Sequence, residues 1–196
     1  MKKTFNIKSA LILTFITVCA LTASACTSTL TPLEQQQRER CISEKKEYSV
    51  SGKLGIFDEK IKTTTLLNID VSKPDYTIYI SGTTGTTLLK IRKTSAITEI
   101  TDDKGNVRSG NNADELVYSL TGLHIPCDSL PDIITAVPGN NRAVYSEKGT
   151  IESISFSGFK VVYKSFTEVK GILLPKKMDI QGDNFLLRIS VNKWNI

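Results

Sequence analysis

The chain has 196 residues, enough for one domain with a core of its own, and a formal net charge of +5. Three of its lysines, Lys2, Lys3 and Lys8, precede residue 26 with no acidic residue beside them, so without that segment the charge falls to +2. So small a balance excludes the basic footprint of a nucleic-acid-binding protein.

The opening residues MKKTFNIKSALILTFITVCA combine a basic start with a short apolar run and then small residues, the pattern of a secretory signal peptide. About a dozen apolar residues fall short of the roughly 20 that a spanning helix needs. Ala23, Ser24 and Ala25 lead directly into Cys26, and this LTASAC stretch resembles a bacterial lipobox. The resemblance implies cleavage before Cys26, a diacylglycerol on its thiol and an acylated amine. Thr27, in place of an Asp, implies release to the outer membrane. Cys19 is a poorer candidate, because β-branched Val18 would stand at the cut. Residues 1–25 are therefore expected to be the signal, 26–30 a lipidated tether, and 31–196 a single domain. Two cysteines remain, Cys41 and Cys127. An oxidising periplasm would let them pair, and two buried free thiols fit the sequence equally well.

Thr31, Pro32 and Glu34 predict a helix with a capping box, continuing through TPLEQQQRERCISEKKE with Leu33, Cys41 and Ile42 as a thin apolar stripe on a surface helix. From Tyr48 the period changes to two. Val50, Leu54 and Ile56 alternate with polar neighbours, as do Leu67, Ile69 and Val71, then Tyr76, Ile78 and Ile80. Similar runs near Leu89, Val161 and Ile189, separated by turns such as DKGN and QGDN, predict an antiparallel meander. TLLKI, FKVVYKSF and FLLRISV carry apolar residues at both parities. They predict a sheet that covers its second face or holds something greasy against it.

Residues 111–139 interrupt the strands. Asn112 with Glu115 caps ADELVYSLTG, which Gly122 stops; Ser129 with Asp132 caps LPDIITAVPG, which Pro138-Gly139 ends. These helices present Leu116, Val117, Leu120, Leu130, Ile133, Ile134 and Val137. A mainly β fold with an α-helical lid over a strongly curved sheet follows.

This order of pieces resembles the LolB family from Tyr48 to the C-terminus. SVSGKLGI is similar to the family's first strand, and YTIYISGTTGTTLLKI to its strand–loop–strand. ITDDKGNVRSGNNADELVYSLTGLHIPCDSLPDIITAVPG is similar to its turn and two lid helices. GFKVVYKSF, LPKKMDI and FLLRISVNKWNI resemble its closing strands, down to Trp194. The resemblance implies an incomplete antiparallel β-barrel of about eleven strands enclosing an apolar cavity for acyl chains. It also implies the function: a monomeric outer-membrane receptor that accepts acylated lipoproteins from a periplasmic LolA-type carrier. The receptor passes them to phospholipid of the inner leaflet, without catalysis or cofactor. The seven lid residues are then the cavity lining, and Gly82, Thr83, Thr84, Gly85 and Leu88 the membrane-facing loop. The chain departs from the family at several positions: Thr84 stands where a Leu is general at the loop tip, Thr83 where Pro is common and Ile133 where Trp is favoured, and Cys41 and Cys127 are not part of the family pattern. Chemistry supports the need for such a receptor. At about 0.8 kcal/mol per methylene, exposing one ~16-carbon chain to water costs on the order of 10 kcal/mol. The alternative is a structural or ligand-binding lipoprotein with a conventional filled core.

Other motifs point to nothing sharper. His124, near Cys127 and Asp128, lacks the partners of a zinc site, so no metal is expected. No nucleophile elbow frames a serine, and none of these patterns marks an enzyme. SGTTGTT lacks the Lys-Ser/Thr end of a phosphate loop and reads as a hairpin tip. Lys164, Lys170, Lys176 and Lys177 read as a solvated strand face, with contact to lipid headgroups as the alternative.

Overall fold

Alternation of side chains along the strands determines one continuous sheet. The structure, a computed structural model, describes residues 31–196. Eleven strands run β1 (Glu47–Asp58), β2 (Lys62–Ser72), β3 (Asp75–Ser81), β4 (Thr87–Lys93), β5 (Thr98–Asp102), β6 (Val107–Gly110), β7 (Arg142–Tyr145), β8 (Ile151–Phe156), β9 (Phe159–Val169), β10 (Ile172–Gln181) and β11 (Phe185–Asn195). Their spatial order is β6-β5-β4-β3-β2-β1-β11-β10-β9-β8-β7, every pair antiparallel. β1 and β11 pair at the centre, so the two chain halves meet there, and β6 and β7 are free edges. The sheet is an open barrel, as the sequence predicted.

Gly52 is needed at the β1–β11 seam. The register slips between Ser51 and Gly52, and a Cβ at residue 52 would stand 2.3 Å from the Ser190 carbonyl oxygen. Trp194, opposite Val50 in that seam, also ties β11 to β10, its Nε1 donating to the Pro175 carbonyl at 3.1 Å.

Among the described residues three helices accompany the sheet: α1 (Pro32–Glu44), α2 (Ala113–Thr121) and α3 (Leu130–Thr135). α2 and α3 lie in the stretch that joins edge β6 to edge β7. One core joins them to the sheet, taking in Val117, Leu130, Ile133 and Ile134 with inward side chains such as Leu54, Ile69, Ile78, Ile91, Val161 and Ile189.

Two sequence expectations are corrected. The strands with apolar residues at both parities still bury only one face: Leu89 and Ile91 are buried while Leu88 and Lys90 point outward, and Leu187 and Ile189 are buried while Leu186 is half-exposed. The second face has no covering layer among the described residues. α1 has its predicted capping box, with the Thr31 hydroxyl accepting from the Glu34 amide and the Glu34 carboxylate accepting from the Thr31 amide. Its inward face, however, is Gln35, Arg38 and Ile42, and Leu33 is 64% exposed. A polar helix docks here through a buried guanidinium rather than through an apolar stripe.

Candidate functional site: the lid and its latches

α2 begins where expected. Asn112 Oδ1 accepts from the Glu115 amide at 3.1 Å, and Gly122, at φ 70°, ends the helix. α3 differs from expectation. Ser129 is helical in backbone and makes no side-chain cap; its carbonyl accepts from the Asp132 and Ile133 amides instead. The helix stops at Ala136, held at φ 54°, two residues before Pro138.

Of the seven predicted lining residues, Val117, Leu130, Ile133 and Ile134 are fully buried, while Leu116, Leu120 and Val137 are half-buried against the same core. They come together on the concave face of the sheet, where they act as a plug. In this conformation the lid's own side chains pack against the concave face. Surface clefts instead ring the lid. One of about 180 Å³ beside His124 reaches the inward wall residues Ile56 and Leu187. Another, of about 210 Å³, lies on the far side of His124 between Pro126 and Ser157. The His124 ring stacks between Tyr118, 4.3 Å away, and Phe185, 5.8 Å away.

Polar side chains fasten the plug to the wall. Tyr48 on β1 donates to the Pro131 carbonyl at 3.0 Å, and Tyr163 on β9 donates to the Ile133 carbonyl at 2.9 Å. Burial pushes both phenols above their ordinary range. Arg38 of α1 reaches the C-terminal carbonyls of α3, with Nη2 2.7 Å from Thr135 O and Nη1 3.3 Å from Ala136 O, while Nε donates to Leu173 O on β10. A cation at the negative end of a helix is favourable. Burial nevertheless lowers its pKa to about 10, and among the described residues no carboxylate pairs with it. Asp128 secures the other end. Its carboxylate accepts from Tyr76 Oη and the Ala113 amide and pairs with Lys93, and its own amide donates to Asp114 Oδ1 at 2.9 Å. Burial and the neighbouring Asp128 raise the Asp114 carboxyl above the usual range, against the pull of two backbone amides.

None of these latches was found in the sequence. Tyr48 and Tyr163 stand at inward register positions, where a buried hydroxyl needs a partner, so parity carried a signal. Arg38 carried none, because its acceptors are backbone atoms roughly a hundred residues away.

The β3–β4 loop is a tight tip. Gly82 N donates to Thr86 O at 2.8 Å, Gly85 takes φ 89°, and Thr83 and Thr84 are exposed. Leu88 is the extra residue of a bulge in β4 and is 41% exposed. Cys41 and Cys127 are free thiols and do not pair: Cys127 is fully buried beneath the lid, while Cys41 lies on α1 beside the β9–β10 turn. Cys26 and the signal lie outside the described residues.

Residues 46–194 match the family described as outer membrane lipoprotein LolB. The chain belongs to the LolB family. An outer-membrane lipoprotein LolB from Tolumonas auensis is 29% identical, covering 91% of this chain and 93% of that protein. One from Aeromonas salmonicida is 25% identical over the same shares. Among solved structures, a LolA superfamily protein from Nitrosomonas europaea superposes with a TM-score of 0.55 at 9% identity, covering 85% of this chain and 94% of the other. A DUF1329 family protein from Desulfovibrio piger gives 0.53 at 9% identity, over 86% and 92%. At those identities the likeness is one of fold, and it agrees with the open LolB-type sheet.

Proposed function

We propose that the chain is an acceptor at the periplasmic face of the outer membrane, tethered through acylated Cys26. It takes lipoproteins from a LolA-type carrier and releases their acyl chains into the inner leaflet. One observation carries this reading. The plug over an apolar concave wall is a single insert between the two edge strands β6 and β7, so it can leave without breaking any strand pair. Its latches are individual side-chain hydrogen bonds, each contributing about 0.5–1.5 kcal/mol net, or about 1.5–3 kcal/mol where the charged Arg38 or Asp128 takes part. An arriving acyl chain, worth on the order of 10 kcal/mol when buried, can offset several of them. The cleft beside His124, where Ile56 and Leu187 approach the surface, is the proposed point of entry.

The filled concave face favours a second reading, a lipoprotein module with a closed core and no transfer activity. Incubation with a carrier–lipoprotein complex separates the two. Transfer of cargo to the acceptor, with acyl chains found on it by mass spectrometry, supports the first. Cargo that stays on the carrier while the acceptor remains folded and lipid-free establishes the second.

A further inference from the structure

The inward side chains of β2 to β5 change character along the strands. Leu67, Ile80 and Leu89 stand in one register row, Ile69, Ile78, Ile91 and Ile100 in the next, and all are buried. The row beyond holds Tyr76, Lys93 and Thr98 on β3, β4 and β5. An apolar track of about 13 Å, four residues at ~3.3 Å each, therefore ends on three hydrogen-bond donors on adjacent strands. The insert between β6 and β7 covers them. Asp128 Oδ1 accepts from Tyr76 Oη at 3.0 Å and pairs with Lys93, and Oδ2 accepts from the Ala113 amide. The third donor is idle: Thr98 is 1% exposed, and its hydroxyl is the one buried side-chain polar atom without a partner among the described residues. Such an atom costs stability. Gly110, the register partner of Thr98 on β6, lies against Leu116 of α2, whose side chain a Cβ there would meet at 3.4 Å, so the insert closes this corner.

The charge balance of the donor row also depends on the insert. Lys93 has Asp128 as its one carboxylate partner among the described residues. Asp114, the other acid close by, accepts from the Asp128 amide at 2.9 Å and belongs to α2. Both acids leave when α2 and α3 leave. What stays on the wall is an ammonium and two hydroxyls at the end of an isoleucine row. An acceptor that replaces Asp128 there has to be anionic, because a neutral one leaves the ammonium without a counter-ion beside apolar surface.

We propose that Tyr76, Lys93 and Thr98 form a head-group subsite for a single-chain amphiphile with an anionic oxygen head, a fatty carboxylate or a lysophosphatidate. The Asp128 carboxylate stands in for that head while the lid is down. This inference rests on the acceptor reading for the departure of the lid, and adds a class of ligand distinct from the neutral acylated cysteine of a lipoprotein. The acyl chain lies along the isoleucine row and its head takes the place of Asp128. Exchanging one anion for another keeps the Lys93 ammonium paired and the Tyr76 hydroxyl bonded, and Thr98 gains the acceptor it lacks. Because ligand and Asp128 compete for the same donors, bound amphiphile holds the lid open.

The test uses the mature acylated protein in phosphatidylcholine nanodiscs, titrated with palmitate, palmitoyl lysophosphatidate or hexadecanol. Each probe carries an isotope label at its head carbon, so that NMR separates protein-bound from bilayer-dissolved molecules. The parent is expected to bind at least one anionic probe about tenfold or more tighter than hexadecanol. This ratio cancels the work of displacing the lid, which every probe must do. The tighter of the two anionic probes identifies the head, and either order supports the subsite. Lys93→Met is expected to bring the ratio close to one. Were Lys93 only a latch, the variant would loosen the lid, all three probes would bind more tightly and the ratio would persist. Thr98→Val removes an unpaired hydroxyl, so it should melt at or above the parent temperature while palmitate binding weakens about threefold. A ratio near one in the parent, a ratio unchanged in Lys93→Met, or parental palmitate affinity in Thr98→Val overturns the subsite. Cargo transfer from the carrier to the parent protein is measured in the same nanodiscs. Its persistence alongside a ratio near one leaves the acceptor role standing and removes only the subsite.

Discussion

Ile133 shows how much a residue's surroundings decide what a substitution can report. It is fully buried, and its carbonyl is held by Tyr163. A glutamate there would strand a charge without a partner, at a cost of several kcal/mol. Ile133→Glu is therefore expected to unlatch or unfold the lid, seen as a lowered melting temperature, rather than to leave the fold intact and block transfer alone. Ile133→Ala removes apolar contact and opens a void, with an expected loss of about 2–4 kcal/mol in urea unfolding. Half-buried Leu120 tolerates a charge better, so Leu120→Glu is the cleaner probe. It should melt near the parent and take up cargo from the carrier at least about tenfold more slowly; unchanged uptake would remove α2 from the acyl path. Arg38 is a different case. Arg38→Met keeps the stem and removes the donors to Thr135, Ala136 and Leu173, and a loss of about 1–3 kcal/mol is expected with faster amide exchange in α3. Positions such as Ile133 were legible because apolar residues at helical spacing must be buried. Arg38 was not, because its role depends on carbonyls that only the folded chain brings near.

Among the elements, the strands and α2 follow from local rules: alternation, an Asn cap and a Gly stop. α1 and α3 show where such rules stop. Capping chemistry located the start of α1, but tertiary packing chose which side faces inward. For α3 the cap is backbone and the stop is a left-handed Ala136, so neither end followed the residues that suggested it. The junction between α2 and α3 titrates. Asp114 has a folded pKa raised mainly by burial, so the folded state binds its proton more tightly than the unfolded chain does. Its charged form at neutral pH therefore lowers stability, and that loss is relieved as pH falls through the raised folded pKa. Asp114→Asn keeps an oxygen to accept from the Asp128 amide and cannot ionise. It should raise the melting temperature at pH 7 and flatten the rise otherwise seen on mild acidification. A lowered melting temperature at pH 7 would show that the amide contacts need the charge. At the loop, Thr84→Leu adds an exposed apolar tip beside Leu88 and should speed release of bound lipoprotein into liposomes, read as a faster transfer rate.

The whole molecule couples a continuous sheet to a detachable insert, and that division was legible from sequence only in outline. Periodicity indicated many antiparallel strands and one helical interruption. It could not indicate that β1 pairs with β11, because register across the chain's two ends is fixed by Gly52 and Trp194 meeting their partners in three dimensions. Nor could it distinguish a chamber from a plug, since the same apolar residues serve either. The topology then predicts a hierarchy of opening. Central strands β1, β2 and β11 share long ladders and can exchange their amides only by global unfolding. Residues 112–137 hang between free edges and can open while every ladder persists. Native-state hydrogen exchange in low urea should therefore show α2 and α3 exchanging through an opening with a smaller urea dependence than that of β1 and β11. Binding an acyl chain should abolish that difference in α3 while leaving the central strands unchanged. If α2, α3 and β1 all exchange with one common free energy and one urea dependence, the lid opens only with the barrel, and a route for acyl chains between them does not exist.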